Sequence, residues 1–385
     1  MKDPEFSKAF LENCKKWDCI YEDEFELFTY ASRYCRIDCE VLHKGYEIFN
    51  GWMIETTGES VFNHLTIPSL VHEFFINKGC YTDVYELSGV CRAYIQKCVV
   101  GGRCALANNK KEIQDVPIAD YDAVSLYPSA MSRMSGFLKG CPKVLVDKTM
   151  KFLNSVSGYF IRIEIIHIGI KRAFPLMSEM RGGVRCFVND CMTMYVDKVG
   201  LEDMINFQDI EFNIIDGYYF NEGHNDTICD VIKHLFQARI QKKREDNPVQ
   251  EILKLVMNSS YGKTLLKPII HKDRVFNTEH TLNKYVIKNF ETIESYTRIH
   301  QTSDKFVLKE IIPVISHFNI PQVGVEILSM SKRIMNEVMT LAEDSDIDIY
   351  YQDTDSLHLR QDKLDDLMSL YSIRYNRVLN GDSMG

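Results

Sequence analysis

The chain has 385 residues, which is too long for one ordinary domain and predicts two or three. Its hydrophobic fraction of 45% and charged fraction of 26% are those of globular proteins, so a wholly disordered or fibrous chain is excluded. No apolar run approaches the roughly 18 residues that a membrane-spanning helix needs, and the first residues do not begin a signal peptide. The composition therefore predicts a soluble, intracellular protein with no membrane partner.

The net charge of −9 is unevenly distributed. Residues 1–60 carry 7 Lys/Arg and 13 Asp/Glu, a net of −6, whereas residues 233–274 carry 10 and 4, a net of +6. An acidic body with one basic stretch suits a protein that meets phosphates at one place. A helix with a solvated basic face would give the same pattern, so charge alone leaves both interpretations open.

Hydrophobic periodicity and turn residues predict the main elements. In chain order they are a helix over Phe25–Phe49 with a buried apolar face, a helix start at Thr66–Ser69, a strand over Ile118–Tyr121, a helix from Pro128, a strand over Tyr159–Ile170, an antiparallel helical hairpin over about 226–244 and 249–266, and a β-hairpin over Ile347–Leu359.

Two carboxylates stand at the tip of the predicted β-hairpin. Asp353 and Asp355 are held close by a tight turn, and no cationic side chain immediately flanks them. Because neighbouring carboxylates repel each other, such a pair is either well solvated or arranged to hold a divalent cation. The turn by itself does not decide between these interpretations. An EF-hand is unlike this turn, since the glycine and the closing glutamate of that loop are missing.

A third carboxylate, Asp122, ends the strand predicted just before it. The chain then turns into a helix, whose first backbone N–H groups can receive a phosphate while the carboxylate holds a metal. Strand–turn–helix segments without any ligand are also common.

The two long helices carry polar residues on stripes that face each other if the helices pair. Lys254, Asn258 and Tyr261 share one face of the second helix, and Arg239 and Lys243 lie four residues apart on the first. A basic wall opposite a Lys–Asn–Tyr stripe can bind a triphosphate. A solvated helical hairpin would show the same pattern.

Together these segments resemble motifs A, B and C of the family B DNA polymerases, in the family's order. The matching segments are Asp122-x-x-Ser125-Leu126-Tyr127-Pro128-Ser129, Lys254-x-x-x-Asn258-Ser259-x-Tyr261-Gly262 and Tyr351-x-Asp353-Thr354-Asp355-Ser356. The resemblance is to the protein-primed branch of viruses and linear plasmids. It implies an α+β fold, in which an antiparallel palm sheet is crossed by a helical fingers hairpin and accompanied by a partial RNase H-like exonuclease remnant.

The resemblance implies a template-directed DNA polymerase that transfers dNTPs to a primer 3′-hydroxyl or to a priming protein. Two Mg²⁺ ions, for which Mn²⁺ can substitute, are implied as cofactors, with Asp122 and Asp355 as shared ligands and Asp353 in support. Tyr127 would lie under the sugar and exclude a 2′-hydroxyl. The implied nucleotide-binding residues are Ser125, Leu126, Tyr127, Arg239, Lys243 (or Lys242), Lys254, Asn258 and Tyr261. The implied partners are primer-template DNA, dNTPs and a terminal (priming) protein.

Flanking segments extend the resemblance. Tyr34 and Asp38 resemble the third exonuclease motif, and Gly101-Gly102 resembles the glycine-pair DNA-binding loop between exonuclease and palm. Two family insertions are expected at about 177–231 and 269–298. The predicted boundaries are 1–60 for the exonuclease remnant, 61–110 for the connector, 111–224 for the first part of the palm, 225–266 for the fingers and 267–385 for the second part of the palm.

The resemblance covers the middle of the family's architecture. Only 37 residues precede Asp38 and 30 follow Asp355, too few for the first two exonuclease motifs and for a thumb. Proofreading is therefore not expected of this chain. The alternative function is a catalytically incomplete fragment that only binds DNA or a priming protein.

Overall fold

A computed structural model describes the chain over residues 4–22, 24–111, 113, 115–266, 271–312, 320–379 and 381. The backbone divides into two compact units, Met1–Leu70 and Val71–Gly385. Helices and antiparallel sheets make up the larger unit, which confirms the predicted α+β class. Within the described ranges, no helix is both long enough and apolar enough to cross a membrane.

The helices are α1 (Pro4–Lys16), α2 (Leu27–Thr57), α3 (Ile67–Asn77), α4 (Gly89–Gln96), α5 (Leu126–Arg133), α6 (Met150–Leu153), α7 (Lys198–Gln208), α8 (Thr227–Arg244), α9 (Val249–Ser259), α10 (Glu279–Asn289), α11 (Pro321–Asp344) and α12 (Leu364–Tyr375). The strands are β1 (Ile20–Tyr21), β2 (Glu24–Phe25), β3 (Cys104–Leu106), β4 (Ile118–Asp122), β5 (Phe137–Leu138), β6 (Lys143–Val144), β7 (Gly158–Ile168), β8 (Met177–Arg181), β9 (Val184–Val188), β10 (Thr193–Asp197), β11 (Ile210–Phe220), β12 (His224–Asn225), β13 (His271–Phe276), β14 (Ile293–Arg298), β15 (Phe306–Ile311), β16 (Ile349–Asp353) and β17 (Ser356–Arg360).

The smaller unit is dominated by α2, which confirms the helix predicted over Phe25–Phe49 but not its buried face. Leu27, Val41 and Leu42 are 64–72% exposed, and Met53 is the fully buried side chain of this helix. The periodicity is real, but the described part of this unit covers so long a helix only in places, with α1, the short β1-β2 pair and the 3₁₀ turn over Val61–Asn63, whose Phe62 packs on Tyr46. The prediction of burial is therefore wrong for this structure.

A four-stranded sheet in the order β10-β7-β11-β6 forms the main core of the larger unit. The alternation predicted around Tyr159–Ile170 is seen in β7, where Ile161, Ile163 and Ile165 are at most 2% exposed and pack in one apolar cluster with side chains of α7. Strands β10 and β11 both pair with β7. The segment expected as a first insertion, about 177–231, thus shares a sheet with the residues before it.

A second four-stranded antiparallel sheet, in the order β3-β16-β17-β4, carries the acidic residues, and we call it the acidic sheet. Side chains alternate between its faces. Gln352, Leu357 and Leu359 are buried on the face toward α11, whereas Asp122 and Asp353 are exposed on the other. Strands β16 and β17 confirm the hairpin predicted over Ile347–Leu359.

Helices α8 and α9 form the predicted helical hairpin, but the second helix is shorter than expected. Helix α9 ends at Ser259 instead of continuing to about 266. The Ser260 hydroxyl donates to the Met257 carbonyl at 2.6 Å and competes there with the helical hydrogen bond. The chain then forms a 3₁₀ turn over Gly262–Leu265, so Tyr261 lies beyond the end of α9.

Strands β13 and β14 both pair with β15, and α10 packs against this three-stranded sheet around Leu282, Phe306 and Leu308. This compact piece overlaps the second expected insertion, about 269–298, of which residues 269–270 lie outside the described chain. The expected range omits β15, the central strand. That the piece is an insertion remains a prediction, as do the domain boundaries.

Candidate active site

Asp122 and Asp355 lie side by side at one end of the acidic sheet. Asp122 is the last residue of β4 and pairs across the sheet with Ser356. The backbone N–H of Ala123 donates to the Asp355 carbonyl at 2.7 Å. Because β4 and β17 are hydrogen-bonded neighbours, two carboxylates that are distant in sequence reach the same end of the sheet.

The turn between the two hairpin strands is strained. Thr354 has φ +55°, the left-handed region that a β-branched residue rarely adopts, and such a conformation costs about 1–3 kcal/mol. The turn is tight, since the Asp355 N–H donates to the Asp353 carbonyl at 2.6 Å. The Thr354 N–H donates in turn to the Arg103 carbonyl at 2.7 Å, so the loop before β3 holds this conformation.

Among the residues that the structure describes, no ion pair compensates the charge of Asp122 or Asp355. Burial raises the pKa of Asp355, and the negative charges of Asp122 and Asp353 raise it further. A bound divalent cation would offset the cost of ionising Asp355 beside these negative charges. Carboxylate oxygens are the ligands that Mg²⁺ and Mn²⁺ prefer. Within the described residues, no group of three or more His, Cys, Asp or Glu side chains is arranged to hold a metal. A Mg²⁺ ion held by this pair would therefore have to take its remaining ligands from phosphates and water.

Asp353 has different surroundings from Asp122 and Asp355. Its side chain is exposed, its Oδ1 accepts from the Thr354 hydroxyl at 3.5 Å, and its sheet neighbours are Ser356 and Cys104. It does not line the cavity that Asp122 and Asp355 share. Of the three carboxylates predicted to converge, Asp122 and Asp355 line one cavity, and Asp353 lies close enough for its charge to raise the pKa of Asp355. A metal-binding role of Asp353 remains a prediction.

A cavity of about 1200 Å³ lies in front of the carboxylate pair. It exceeds the roughly 300–1,000 Å³ of a small-ligand pocket, which suits several ligands bound together. The predicted residues that line it are Asp122, Ser125, Leu126, Tyr127, Arg239, Lys243, Lys254, Asn258, Tyr261 and Asp355. All the predicted nucleotide-binding residues thus meet in one place.

The lining also contains residues that the sequence analysis missed. Phe236, Ile240 and Arg244 recur every four residues on α8 and form one stripe facing the cavity. The signal was present in that spacing and in the basic run that Arg244 ends.

The floor of the cavity is the turn from β4 into α5. Ser125 has φ +52° and is the N-cap of α5, which begins at Leu126, two residues before the predicted start. Its hydroxyl accepts from Arg239 Nη1 at 3.4 Å. Tyr127 stacks on Tyr261, with ring centroids 4.0 Å apart and an interplanar angle of 22°. Burial raises the pKa of Tyr127, so this hydroxyl is neutral at physiological pH.

The cationic wall of the cavity is defined by Arg239, Lys243 and Lys254. Of the two neighbouring lysines named in the sequence analysis, Lys243 lines the cavity, whereas Lys242 forms an ion pair with Glu245 at 3.8 Å. Which of them binds a nucleotide remains a prediction. Lys243 and Lys254 have no ion-pair partner within the described part of the chain, so their charges are available to an anionic ligand.

The remaining predicted residues lie in two places. Gly101 and Gly102 precede β3, and a Cβ atom on Gly102 would come within 2.6 Å of the Thr354 side chain, which explains why glycine is needed at this close approach. Tyr34 and Asp38 lie on α2 in the smaller unit, both with exposed side chains. Their assignment to an exonuclease remnant remains a prediction.

The raised pKa of Asp355 makes a prediction for the metal-free protein. An acid whose folded pKa is raised favours folding below its ordinary pKa, and this contribution is lost as the pH rises through the raised value. At pH 7 in EDTA we therefore expect Asp355→Asn to melt at a higher temperature than the wild type, with the difference closing as the pH falls below about 4. Differential scanning calorimetry measures both.

Asp362 is the matched control for that experiment. The hydrogen bond from Arg360 lowers the pKa of Asp362, so its ionised form favours folding and Asp362→Asn should give no gain in melting temperature. Equal stabilisation by both substitutions would mean that general surface charge, and not the crowded Asp122–Asp355 pair, is responsible.

The fold of the chain has counterparts among solved structures. It is similar to Phi29 DNA polymerase in an orthorhombic crystal form, with a TM-score of 0.56, 18% identity, and coverage of 79% of this chain and 50% of that one. A ternary complex of the same enzyme with primer-template DNA and incoming nucleotides gives a TM-score of 0.55 and 19% identity over 79% and 50% of the two chains. At this identity the likeness shows the fold of a DNA polymerase and nothing finer.

The sequence itself assigns the family. Residues 5–345 match the family of DNA polymerase type B, organellar and viral, and the chain belongs to it. It is 25% identical over 362 residues to a probable DNA polymerase of Ascobolus immersus, covering 91% of this chain and 28% of that protein. A probable DNA polymerase of Neurospora intermedia is 25% identical over 371 residues, covering 92% and 35%. The chain thus spans about a third of the length of these curated relatives.

Proposed function

We propose that this chain forms the nucleotidyl-transfer centre of a template-directed DNA polymerase that acts in viral or plasmid DNA replication inside the host cell. The observation that carries the proposal is the cavity: one and the same space is lined by the Asp122–Asp355 pair and by the cationic wall of Arg239, Lys243 and Lys254. Membership of the type B polymerase family supports the same activity.

The carboxylate pair would hold two Mg²⁺ ions, or Mn²⁺ in their place, with Asp353 as a supporting ligand. When bound, such ions activate a primer 3′-hydroxyl and neutralise charge on the departing pyrophosphate. The 3′-oxygen forms a bond to the α-phosphorus of the dNTP as the bond from that phosphorus to pyrophosphate breaks. The contribution of the protein is to hold Asp122 and Asp355 close together before the substrates arrive.

The cationic wall would bind the triphosphate of the incoming nucleotide. Lys254 and Lys243 reach the cavity from different helices of the hairpin, so a triphosphate between them is held from two sides. The backbone at Ser125 and Leu126, where α5 begins, offers N–H donors beside the carboxylate pair. Asn258 would pack against the new base pair.

Tyr127 is proposed to exclude ribonucleotides. Its ring is fixed by stacking on Tyr261, so it cannot swing aside for a 2′-hydroxyl without breaking that contact. We expect Tyr127→Val to raise ribonucleotide incorporation, relative to dNTP incorporation, by about 10–200-fold. Single-nucleotide extension with rNTP and dNTP measures the ratio. Tyr127→Phe keeps the ring and should keep the exclusion; a matching rise in that variant would assign selectivity to the hydroxyl group.

The proposed partners are primer-template DNA, dNTPs and a priming protein. Base pairing reads the template, so the protein needs contacts only to the phosphates and to the shape of the duplex. One basic region is enough for this, which reconciles DNA binding with an overall charge of −9. A hydroxyl group of a priming protein would replace the primer 3′-hydroxyl in the first transfer.

Primer extension tests the proposal directly. A labelled primer on a longer template is incubated with the protein, dNTPs and Mg²⁺ or Mn²⁺, and products are resolved by length. We expect extension that depends on the template and on the metal. Retention of the primer-template in a gel-shift assay, with no extension in either metal, would instead favour a fragment that only binds DNA.

A further inference from the structure

Arg103 is a buried arginine directly behind the strained Asp353–Asp355 turn. It follows the glycine pair, and its side chain is only 2% exposed. Burial lowers its pKa to about 10, so the guanidinium stays charged at neutral pH. Its Nη1 donates to Gln352 Oε1 at 3.2 Å and its Nη2 to Asn336 Oδ1 at 3.0 Å. Both direct partners are uncharged amides, and the charge of Asp203 offsets part of the cost of burying the guanidinium.

Gln352 links the Arg103 side chain to the turn through a second hydrogen bond. Its side chain is 1% exposed and stands on β16, next to Asp353. Because its Oε1 accepts from Arg103, its Nε2 is directed to the Thr354 carbonyl, at 3.4 Å. The orientation of the amide is thus set by the guanidinium.

The backbone of Arg103 holds the same residue, Thr354, at its other backbone group. Its carbonyl accepts from the Thr354 N–H at 2.7 Å. Thr354 is therefore held at its N–H by the Arg103 backbone and at its carbonyl, through Gln352, by the Arg103 side chain. A left-handed, β-branched residue persists only where its surroundings impose that conformation, and here one residue supplies both restraints.

The arginine is itself anchored to the core. Asn336 on α11 accepts from Arg103 and donates to Asp203 Oδ2 at 2.9 Å. The guanidinium carbon also lies 5.1 Å from the ring centroid of Phe187 on β9. Helix α11 and strand β9 thus position Arg103. Through Arg103, the turn is connected to rigid elements of the core.

We propose that Arg103 is a positioning residue for the Asp353–Asp355 turn: by restraining Thr354 from both sides, it fixes where Asp355 meets Asp122 and so sets the affinity of that pair for divalent cations. The proposal rests on the proposed function, because it assigns a role toward the cations that the pair would hold. It also gives the glycine-pair loop a purpose besides DNA contact.

Three variants test it. Arg103→Met removes the guanidinium but keeps a long side chain, Arg103→Lys keeps the charge but cannot reach both amides at once, and Gln352→Met removes only the link to Thr354. Arg172→Met is the matched control, because Arg172 is equally buried but bonds the Phe207 carbonyl at 2.8 Å, away from the turn.

Two readouts are needed. Electron paramagnetic resonance of free Mn²⁺ gives the dissociation constant for the ion without requiring turnover. Primer extension gives kcat and the KM for dNTP as the Mn²⁺ concentration is varied. We expect Arg103→Met and Gln352→Met each to weaken Mn²⁺ binding and to lower kcat, both by about 10–100-fold. The kcat should recover at high Mn²⁺ concentration, and the KM for dNTP should not change. Arg103→Lys should lie between, and Arg172→Met should bind Mn²⁺ like the wild type.

The outcomes separate this inference from the proposed function. If a folded Arg103→Met protein binds Mn²⁺ as tightly as the wild type, the positioning role is overturned, even where the wild type is an active polymerase. If Arg103→Met does not fold, unchanged Mn²⁺ affinity in Gln352→Met overturns it. Weakened Mn²⁺ binding in the variants, together with no extension by the wild type, supports the positioning role and rejects the polymerase activity. A wild type that neither binds Mn²⁺ nor extends a primer overturns both.

Discussion

Asp355→Ala should lower the rate of primer extension by about 10³-fold or more, since metal ions at such a site supply several kcal/mol of transition-state stabilisation and each 1.4 kcal/mol is tenfold in rate. Asp355 is partly buried and lies close to the negative charge of Asp122, and both effects disfavour its ionised form. A bound cation would stabilise this carboxylate, and Asp355→Ala removes it as a metal ligand. The measurement is single-turnover extension of a primed template at saturating dNTP and Mg²⁺.

Asp120→Asn is the control for that loss. Asp120 lies two residues before Asp122 on β4 and so shares its face of the acidic sheet, but its carboxylate lies 3.4 Å from His358 Nε2 and does not line the cavity. Its charge contributes to raising the pKa of Asp355, so the substitution tests charge without removing a cavity-lining carboxylate. We expect this variant to extend primers at the wild-type rate. If Asp120→Asn is as defective as Asp355→Ala, the sheet needs its overall negative charge and the assignment of Asp355 as a metal ligand fails. Extension by Asp355→Ala at the wild-type rate would reject the proposed activity.

The features that sequence predicts well are those encoded locally. The alternation in β7 and in the β16-β17 hairpin follows from the two-residue period of a strand, and each of these predictions is confirmed. The meeting of Asp122 with Asp355 is not local. It could be expected only because the ordered motifs resemble a family whose palm brings them together, and the pairing of β4 with β17 provides the contact.

The features that sequence does not predict depend on tertiary contacts. The apolar stripe of α2 indicates a helix but not what covers it, and in this structure Leu42 is 72% exposed. A basic run does not reveal that Lys242 is paired with Glu245 while Lys243 faces the cavity. Arg103 is a single residue after a glycine pair, and only the structure shows that it contacts a turn some 250 residues later in the chain.

Lys254→Met should lower kcat/KM for dNTP by about 10²–10³-fold, the loss typical of removing one preorganised group that stabilises developing negative charge. Lys254 lies on α9, lines the same cavity as the carboxylate pair and has no ion-pair partner within the described part of the chain. Its charge is thus free to meet the triphosphate. Because the Asp122–Asp355 pair is untouched, the Mn²⁺ affinity of the variant should equal that of the wild type, which distinguishes this defect from that of Asp355→Ala.

Lys242→Met is the matched substitution, since it removes a lysine from the same helical hairpin whose charge is already paired with Glu245 at 3.8 Å. We expect its kcat/KM for dNTP to stay close to that of the wild type. A loss as large as that of Lys254→Met would show that nucleotide binding depends on the total positive charge of the hairpin. In that case the +6 net charge of residues 233–274 would act as a diffuse field. The contrast between these two lysines therefore decides whether the cationic wall is a site with defined positions.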